Sequence, residues 1–238
     1  QIKREGFREL MFTDDMMCAD IKRTYELCEE MLRRDLQINF GGAMRADTAA
    51  KYPDLIKLMR RAGLFFVNVG FESYSRKALK GMNKASTIDV NRRASETLRA
   101  NGVVILGSHV YGAPGQSDED LNLITRDGME HCDLFRMNMY TPQVGSPLYY
   151  EMARKGRIPS SNPEDFNQFE YLFDDGRDPV AMKRGFVAKQ LQYYMHPKIL
   201  GQAIRGKTPL EHIIRRAYLS AGMFTVYREL RKVGIEIM

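Results

Sequence analysis

Polar side chains follow the apolar runs of this chain, at the points where strands would end. Carboxylates, an arginine and an imidazole that meet at one rim could bind a zwitterionic ligand, coordinate a metal ion or transfer protons. In a parallel barrel the chemistry lies at the carboxyl ends of the strands, so these residues are the candidates for a site. They are Asp14, Asp15, Arg45, Asp47, Glu72, Ser73, His109, Gly112, Ala113, Pro114, Gly115, Tyr140 and Pro142.

Most of these candidates also have a purely structural explanation. Asp14 and Asp47 could be helix N-caps, and His109, inside a strand, could be a hydrogen-bonded core histidine. The Gly112–Gly115 segment could be a turn before a helix, because it lacks the spacing and the lysine of a phosphate-binding loop. Glu72 follows an apolar strand directly and needs a partner or water there.

The three cysteines are predicted to be structural. Cys18, Cys28 and Cys132 are odd in number and widely spaced, which argues against a disulfide framework and favours a reducing compartment. Cys28 falls on the apolar stripe of the first predicted helix, so we expect it in the core. No metal site is predicted from the residues of this chain.

Five apolar runs are predicted to be the strands that carry the polar residues. Most are apolar on successive residues, as parallel strands covered on both faces are. Amphipathic helical windows separate them in repeats of roughly 30 residues, which imply right-handed crossovers and an α/β fold. Periodicity alone leaves a barrel and an open doubly wound sheet as alternatives. The runs are residues 9–13, 36–41, 64–71, 103–111 and 134–141.

Helix boundaries are predicted from glycines and capping residues. Helices near residues 49–62 and 87–101 precede Gly63 and Gly102, which suit left-handed C-terminal caps. Two serines, each with an acid three residues on, indicate capping boxes. We therefore prefer capping to metal binding for the acidic run after the second serine. The two pairs are Ser86 with Asp89 and Ser117 with Asp120.

The length and composition of the chain limit the classes of protein to which it could belong. The chain has 238 residues, 44% of them hydrophobic, which suffices for a full core. It has no apolar stretch near the ~20 residues of a membrane span and no leader, so a cytoplasmic protein is predicted. The first residue is Gln1 rather than methionine, and we expect a truncated start. The predicted domains are a partial barrel, residues 1–158, and a helical C-terminal extension, residues 159–238.

The C-terminal extension carries the basic excess of the chain. From Pro179 onward 11 lysines and arginines stand against three acids, whereas the whole chain has a net charge of +6. Its last helical window, residues 210–231, has an apolar face and a basic side, which predicts a packing helix with a solvated surface. Membrane-surface or nucleic-acid binding is the less favoured alternative, and no nucleic-acid partner is expected.

Taken in order, the strand-end segments resemble one enzyme family. The segments are Phe12–Asp15, Arg45–Asp47, Gly70–Ser73, Gly112–Gln116 and Gly145–Tyr149, within about residues 8–150. Their order and spacing resemble the radical SAM superfamily, specifically its cobalamin-binding branch, which includes anaerobic magnesium-protoporphyrin ester cyclases and many methyltransferases. The resemblance implies a partial (β/α)6 TIM-like barrel with strands two to six present.

By this resemblance S-adenosylmethionine would lie across the C-terminal rim of the barrel. Asp14 and Asp15 would meet its amino group, and Arg45 and Glu72 its carboxylate or ribose. A small-molecule substrate would lie beside it. The further cofactor-binding candidates are Ser73, His109, Gly112 and Pro114, and the substrate-binding candidates are Tyr111 and Tyr140.

The implied activity is reductive cleavage of S-adenosylmethionine at a [4Fe–4S] cluster, giving a 5′-deoxyadenosyl radical that acts on an unknown substrate. Cyclisation or methyl transfer linked to cobalamin would follow. The family's three-cysteine motif is absent, and its Pro-Gly-Thr is replaced by Val144–Ser146. The resemblance therefore implies that the cluster loop and a cobalamin-binding domain lie upstream of Gln1, and that the chain alone is inactive.

Two other functions are compatible with the residues. One is a cluster-free α/β barrel enzyme that uses Asp14, Glu72 and His109 for acid–base chemistry. The other is a binding module that acts through the basic C-terminal helices, whose binding would weaken with salt.

Overall fold

The computed structural model describes residues 3–82, 86–158, 162–173, 175–197 and 199. In this part of the chain five strands form one parallel sheet, with neighbours in chain order. The sheet curls into a half-barrel with helices on its outer face. The predicted α/β partial barrel is therefore confirmed. The strands are β1 (Glu9–Met11), β2 (Asn39–Arg45), β3 (Leu64–Glu72), β4 (Val104–Tyr111) and β5 (Leu134–Met139).

Helices connect the strands, as parallel pairing requires. Within the described residues none is long and apolar enough to cross a membrane. A 3₁₀ turn at Pro163–Phe166 lies in the irregular stretch that follows the barrel. The helices are α1 (Ile21–Arg33), α2 (Ala46–Lys51), α3 (Pro53–Ala62), α4 (Arg76–Gly81), α5 (Ile88–Ala100), α6 (Asp118–His131), α7 (Pro147–Arg154) and α8 (Pro179–Tyr194).

The predicted strand ends at residues 13, 41 and 141 lie at Met11, Arg45 and Met139 in the structure. Two other differences have local reasons. The second strand starts at Asn39 rather than Leu36, because Asp35 and Gln37 have left-handed φ angles of 48° and 51° and make a turn. The helix predicted near residues 49–62 is the pair α2 and α3. Pro53 begins α3, and a proline lacks the N–H that would continue the preceding helix.

The capping-box prediction is confirmed for Ser117 and wrong for Ser86. Ser117 and Asp120 form the full capping box: Asp120 N donates to Ser117 Oγ (3.2 Å), and Ser117 N donates to Asp120 Oδ2 (2.9 Å). The prediction for Ser86 was wrong, because the adjacent Thr87 accepts from Val90 N (3.2 Å) and caps α5. Ser86 instead donates to the side chain of Asn91.

The cysteines are buried in the core between the sheet and the helices. Cys28 is 1% exposed, as predicted, and all three cysteines are free thiols. Burial raises the pKa of Cys18 to about 11 and that of Cys28 to about 12. These thiols are therefore protonated at neutral pH and behave as small apolar side chains.

The C-terminal extension packs on the same sheet as the barrel residues. Phe186 and Tyr193 of α8 join Phe135 of β5 in one apolar cluster. The domain boundary after residue 158 stays a prediction. The basic helix predicted over residues 210–231 lies outside the described residues.

Candidate functional site

The carboxyl ends of the strands meet at one edge of the half-barrel. Arg45 at the end of β2 pairs in register with Gly70 of β3, and Gly70 pairs with Ser108 of β4. Residues that follow these positions therefore surround one cleft, on the concave side away from the helices. This is the rim that the sequence predicted.

Glu72 occupies a bulge at the end of β3. The register between β3 and β4 shifts between Gly70 and Glu72, and Glu72 has a φ of 64°. A Cβ on Gly70 would lie 2.9 Å from Glu72 Oε1. The carboxylate therefore folds back over Gly70, and the bulge aims an acid at the cleft from a backbone conformation that strains any residue except glycine.

Arg45 and Asp47 form a two-point ion pair beside this bulge. Arg45 Nε donates to Asp47 Oδ1 (2.8 Å) and Nη2 donates to Oδ2 (2.7 Å). These hydrogen bonds hold the pKa of Asp47 below its usual range, although partial burial opposes the shift. The N-cap explanation of Asp47 was wrong, since α2 begins without a side-chain cap.

Asp14 and Asp15 are exposed in the loop between β1 and α1. Asp20 rather than Asp14 caps α1, because Asp20 Oδ1 accepts from Arg23 N (3.0 Å). The cap explanation of Asp14 was therefore wrong. Asp14 lines a cavity of about 130 Å³ whose walls include Phe12, Asp20 and Arg23.

The loop after β4 is a turn whose backbone groups are hydrogen-bonded by the side chains of Gln116 and Arg177. Gly112 has a φ of 81°. Ala113 N donates to Gln116 Oε1 (2.7 Å), and Arg177 Nη2 donates to the carbonyl oxygens of Gly112 (2.8 Å) and Ala113 (3.3 Å). Pro114 is exposed at the tip of the turn.

Arg177 belongs to a segment that crosses the free edge of β5. We call it the strap, residues 167–173 and 175–177. Met139 N donates to the strap at Gln168 O (2.7 Å). Tyr140, which is half-buried at the end of β5, stacks on Phe173 of the strap with ring centroids 5.1 Å apart. The strap thus joins the ends of β4 and β5 into one wall of the cleft.

Ser73 supports the loop after β3 from within. It is fully buried, and its Oγ accepts from Ser75 N (3.1 Å). Its carbonyl oxygen accepts from Asn91 Nδ2 (3.3 Å). Ser73 fixes the backbone directly after Glu72.

His109 faces the helices, on the opposite side of the sheet from the cleft. It is 0% exposed and stacks on Phe135 at 4.7 Å. Its Nδ1 lies 3.3 Å from Arg136 O and its Nε2 lies 3.4 Å from Tyr74 Oη. A carbonyl only accepts, so Nδ1 carries the hydrogen and Nε2 accepts from the tyrosine. Burial lowers the pKa of His109 to about 3, so the imidazole is neutral at physiological pH.

Tyr111 lies on the same side as His109. Its side chain is buried beneath α8, edge-on to Phe186 at 5.7 Å. A Cβ on Gly185 would clash with its hydroxyl oxygen, so α8 approaches the sheet closely there. Burial raises the pKa of Tyr111 to about 12. Like His109, Tyr111 is placed where it packs rather than where it lines the cleft.

Four polar side chains on the concave face were missed by the sequence analysis. Ser108 Oγ donates to Asn68 Oδ1 (2.6 Å), and Arg136 Nε donates to Asn138 Oδ1 (3.1 Å). They lie inside strands rather than at strand ends. The available signal was the alternation of polar and apolar residues in β5, where Arg136 and Asn138 are two positions apart.

A comparison with known families shows which family the chain belongs to. Residues 1–127 match the sequence profile of the radical SAM superfamily. The chain belongs to the radical SAM superfamily. The resemblance seen in the strand-end motifs is thereby confirmed.

Two curated relatives show how far the likeness extends. The chain is 25% identical to anaerobic magnesium-protoporphyrin IX monomethyl ester cyclase of Rubrivivax gelatinosus, over 98% of the chain and 42% of that protein. It is 26% identical to bacteriochlorophyllide d C-12(1)-methyltransferase of Chlorobaculum tepidum, over 82% of the chain and 42% of that protein. The chain thus spans about two fifths of the length of these relatives.

A solved radical SAM structure shows the same fold. The methyltransferase TsrM of Kitasatospora setae, with cobalamin and a [4Fe–4S] cluster bound, superposes with a TM-score of 0.64 at 14% identity, over 94% of the chain and 53% of that protein. At this identity the likeness concerns the fold, and it agrees with the half-barrel described above.

The two cofactors of a radical SAM enzyme fit these residues unequally. Within the described part of the chain no group of three or more His, Cys, Asp or Glu side chains could hold a metal ion. The three cysteines are separately buried in the core, so they do not fit the [4Fe–4S] cluster. S-adenosylmethionine fits better, because the rim offers carboxylates and a guanidinium.

Proposed function

We propose that this chain forms the S-adenosylmethionine-binding half-barrel of a cobalamin-linked radical SAM enzyme of the cyclase or methyltransferase type. The observation that carries the proposal is the strained bulge that aims the Glu72 carboxylate over Gly70. Strain of this kind persists where a ligand requires it. The family membership and the names of the curated relatives support the type of reaction.

The proposed ligand contacts follow from charge. The exposed carboxylates of Asp14 and Asp15 would bind the amino group of S-adenosylmethionine. Arg45 and Glu72 would bind its carboxylate and ribose hydroxyls. The pair with Asp47 uses Nε and Nη2 of Arg45, which fixes the plane of the guanidinium and leaves Nη1 for the ligand. The turn of Gly112 and Pro114 and the ring of Tyr140 would close the far side of the cleft.

Bound S-adenosylmethionine supplies a 5′-deoxyadenosyl group, which the family uses as a radical to abstract hydrogen from a substrate. The chain's own residues bind and orient that molecule. Because the cluster does not fit the described residues, we propose that its ligands and a cobalamin-binding domain are encoded upstream of Gln1. The outer edge of β1, where Phe7 and Met11 are 57% and 50% exposed, suits the pairing of one further strand.

Calorimetric titration with S-adenosylmethionine tests the binding role. We expect the protein to bind it, and Glu72→Gln and Asp14→Asn each to weaken binding at least tenfold, roughly 1.4 kcal/mol. Glu26→Gln is the control, because Glu26 is exposed on α1 and pairs only loosely with Lys22 (3.8 Å). Wild-type protein that shows no binding, or three variants that bind alike, would refute the proposal.

The reading frame upstream of Gln1 tests the complete enzyme. We expect three cysteines there, with three and then two residues between successive cysteines, behind a further strand. The protein that includes this segment should form 5′-deoxyadenosine from S-adenosylmethionine under anaerobic reducing conditions. A start codon immediately before Gln1 would contradict the proposal and return attention to cluster-free functions.

The acid–base alternative is not favoured by the geometry. The backbone of His109 is in register with that of Glu72, but the imidazole is buried on the helix side of the sheet and is neutral because burial lowers its pKa to about 3. A base for neutral pH needs a pKa near that pH and access to the substrate. The basic residues of the binding-module alternative lie largely outside the described residues, and no described residue supports it.

A further inference from the structure

Arg136 and Asn138 project from the middle of β5 into the concave face. Their neighbours along the strand, Phe135, Met137 and Met139, are 0–1% exposed in the core on the helix side. Successive residues of a strand alternate between its faces, so Arg136 and Asn138 share the other face. The interior of such a barrel is usually filled by branched apolar residues, which makes an exposed guanidinium on the concave face a feature that requires an explanation.

Two further side chains extend this polar feature onto β4 and β3. Ser108 of β4 is in register with both Arg136 and Gly70, and Asn68 precedes Gly70 by two residues on the same face of β3. We call Asn68, Ser108, Arg136 and Asn138 the polar row. It runs from β3 to β5 on the concave face, below the rim that carries Glu72.

The hydrogen bonds within the polar row engage both of its amide oxygens as acceptors. Asn138 Oδ1 accepts from Arg136 Nε (3.1 Å), and Asn68 Oδ1 accepts from Ser108 Oγ (2.6 Å). The nitrogen atoms of the two amides and both Nη groups of Arg136 remain, and all of these are donors. The row therefore presents several N–H groups and one positive charge to whatever fills the cleft.

The charge of Arg136 is not neutralised by the protein where the structure is described. The ion pairs found there do not include it, and its side-chain contact is the neutral amide of Asn138. That contact fixes Nε and turns the two Nη groups into a fork. Such a fork binds a carboxylate through two parallel hydrogen bonds.

We propose that the polar row binds a carboxylate group of the substrate, with Arg136 as its principal contact. The inference rests on the proposed function, in which S-adenosylmethionine uses the ends of β1, β2 and β3. Adjacent strands are ~4.8 Å apart, so Arg136 on β5 lies about 10 Å from β3. This separation assigns the anion to the second ligand of the cleft. A carboxylate-bearing substrate is thereby favoured over a neutral lipid.

The test follows the Arg136 Nε–H group in proton–nitrogen NMR spectra of ¹⁵N-labelled protein. Acetate is the probe, and a parallel titration with chloride at the same ionic strength is the comparison. We expect one arginine Nε–H signal to shift saturably with acetate and not with chloride. Arg136→Lys should remove that signal and so assign it. Asn138→Ala should weaken acetate binding at least threefold, because the guanidinium loses its fixed plane.

Two controls separate this role from others. Arg34→Lys removes an exposed arginine that pairs with Glu30 on α1 and should leave the acetate response unchanged. Arg136→Met should leave the affinity for S-adenosylmethionine and the free energy of unfolding within error of wild type. A merely structural role for Arg136 would change the second of these.

Each other outcome has a definite meaning. The absence of a saturable response to acetate would overturn the proposal. Displacement of acetate from Arg136 by S-adenosylmethionine would show that the carboxylate is that of S-adenosylmethionine, which also overturns it. A wild-type protein that binds acetate at Arg136 but does not bind S-adenosylmethionine would support the anion site and refute the proposed function instead.

Discussion

Glu72 combines a charged side chain with a backbone angle that glycine adopts at lower energy. Its φ of 64° costs a residue with a Cβ roughly 1–2 kcal/mol. We expect Glu72→Gly to be more stable than Glu72→Gln by about 1 kcal/mol, since both lose the charge and only glycine relieves the strain. Urea unfolding measures the difference, and calorimetry should show that both variants lose affinity for S-adenosylmethionine. Equal stabilities would mean that the angle is not strained.

His109 makes a second prediction at the residue scale, concerning pH. Burial lowers its pKa to about 3, whereas an unfolded histidine titrates near 6.5. Below pH ~6.5 the unfolded state therefore binds one more proton than the native state, and stability falls as the pH drops toward 3. His109→Gln should remove about one proton from this dependence, or ~1.4 kcal/mol per pH unit.

Urea unfolding of wild type and His109→Gln at pH 7, 6 and 5 measures that slope. His131, whose pKa burial also lowers, contributes equally to both proteins and cancels. Tyr74 and Cys132, the other titratable groups around the imidazole, have pKa values raised by burial and stay neutral in this range. Parallel slopes for the two proteins would show that His109 does not titrate as described.

The sequence predicted the rim residues better than the interior ones, for a physical reason. Asp14, Arg45 and Glu72 follow apolar runs, and a strand end is visible as the place where such a run stops. Inside β4 apolar residues occur on both faces, the one toward the helices and the one toward the cleft, so the pattern does not show which side His109 occupies. The structure is needed to show which face of the sheet each residue occupies, because that depends on the strand register and on where the helices pack.

At the scale of elements, the close approach of the residue that follows α6 to β4 depends on a glycine. A Cβ on Gly107 of β4 would clash with Cys132 Sγ, which follows α6. We expect Gly107→Ala to destabilise the protein by about 2–3 kcal/mol through overpacking. Gly81→Ala is the matched control, since no atom lies within 4 Å of its added Cβ, and it should be neutral or slightly stabilising.

Urea unfolding of Gly107→Ala and Gly81→Ala compares their free energies of unfolding. A second substitution tests whether the contact with Cys132 causes the loss. Cys132→Ala removes the sulfur that meets the new methyl group, so it should restore part of the stability lost in Gly107→Ala. Additive effects of the two substitutions would contradict the contact as the cause.

The order and type of the elements followed from periodicity, whereas their packing distances did not. Alternating apolar runs and amphipathic windows predicted five parallel strands with connecting helices. Closure into a half-barrel depends on the shear between strands, and shear is set by register shifts such as those after Phe40 and Gly70. Such shifts leave no periodic trace in a single sequence.

At the scale of the whole molecule, the strap joins distant segments around the cleft. Arg177 is 65 residues from Gly112, yet it donates to the carbonyl oxygen of Gly112 and to Asp175 Oδ2 (2.6 Å). Tyr171, whose hydroxyl donates to the same Asp175 oxygen (2.9 Å), lies beneath the guanidinium, 5.2 Å from ring centroid to Arg177 Cζ. One side chain thereby ties the turn after β4 to the strap.

Arg177→Met should remove the hydrogen bonds between the strap and the turn after β4, and so lower both stability and ligand affinity. The two carbonyls of the turn lose a charged donor, and we expect the free energy of unfolding to fall by about 1–3 kcal/mol. Amide hydrogen exchange of residues 112–116 should accelerate at least tenfold, and affinity for S-adenosylmethionine should fall severalfold, because the turn forms one wall of the cleft.

The matched control for this substitution is Arg34→Met, which removes an exposed arginine that pairs with Glu30 alone (2.5 Å). A surface pair of this kind contributes little to stability, so exchange in residues 112–116 and ligand affinity should match wild type. If Arg177→Met lowered stability while exchange in the turn and affinity were unchanged, the strap would stabilise the fold without positioning the turn. Acceleration confined to residues 112–116, together with weaker binding, would show that the C-terminal segment shapes the site at the strand ends.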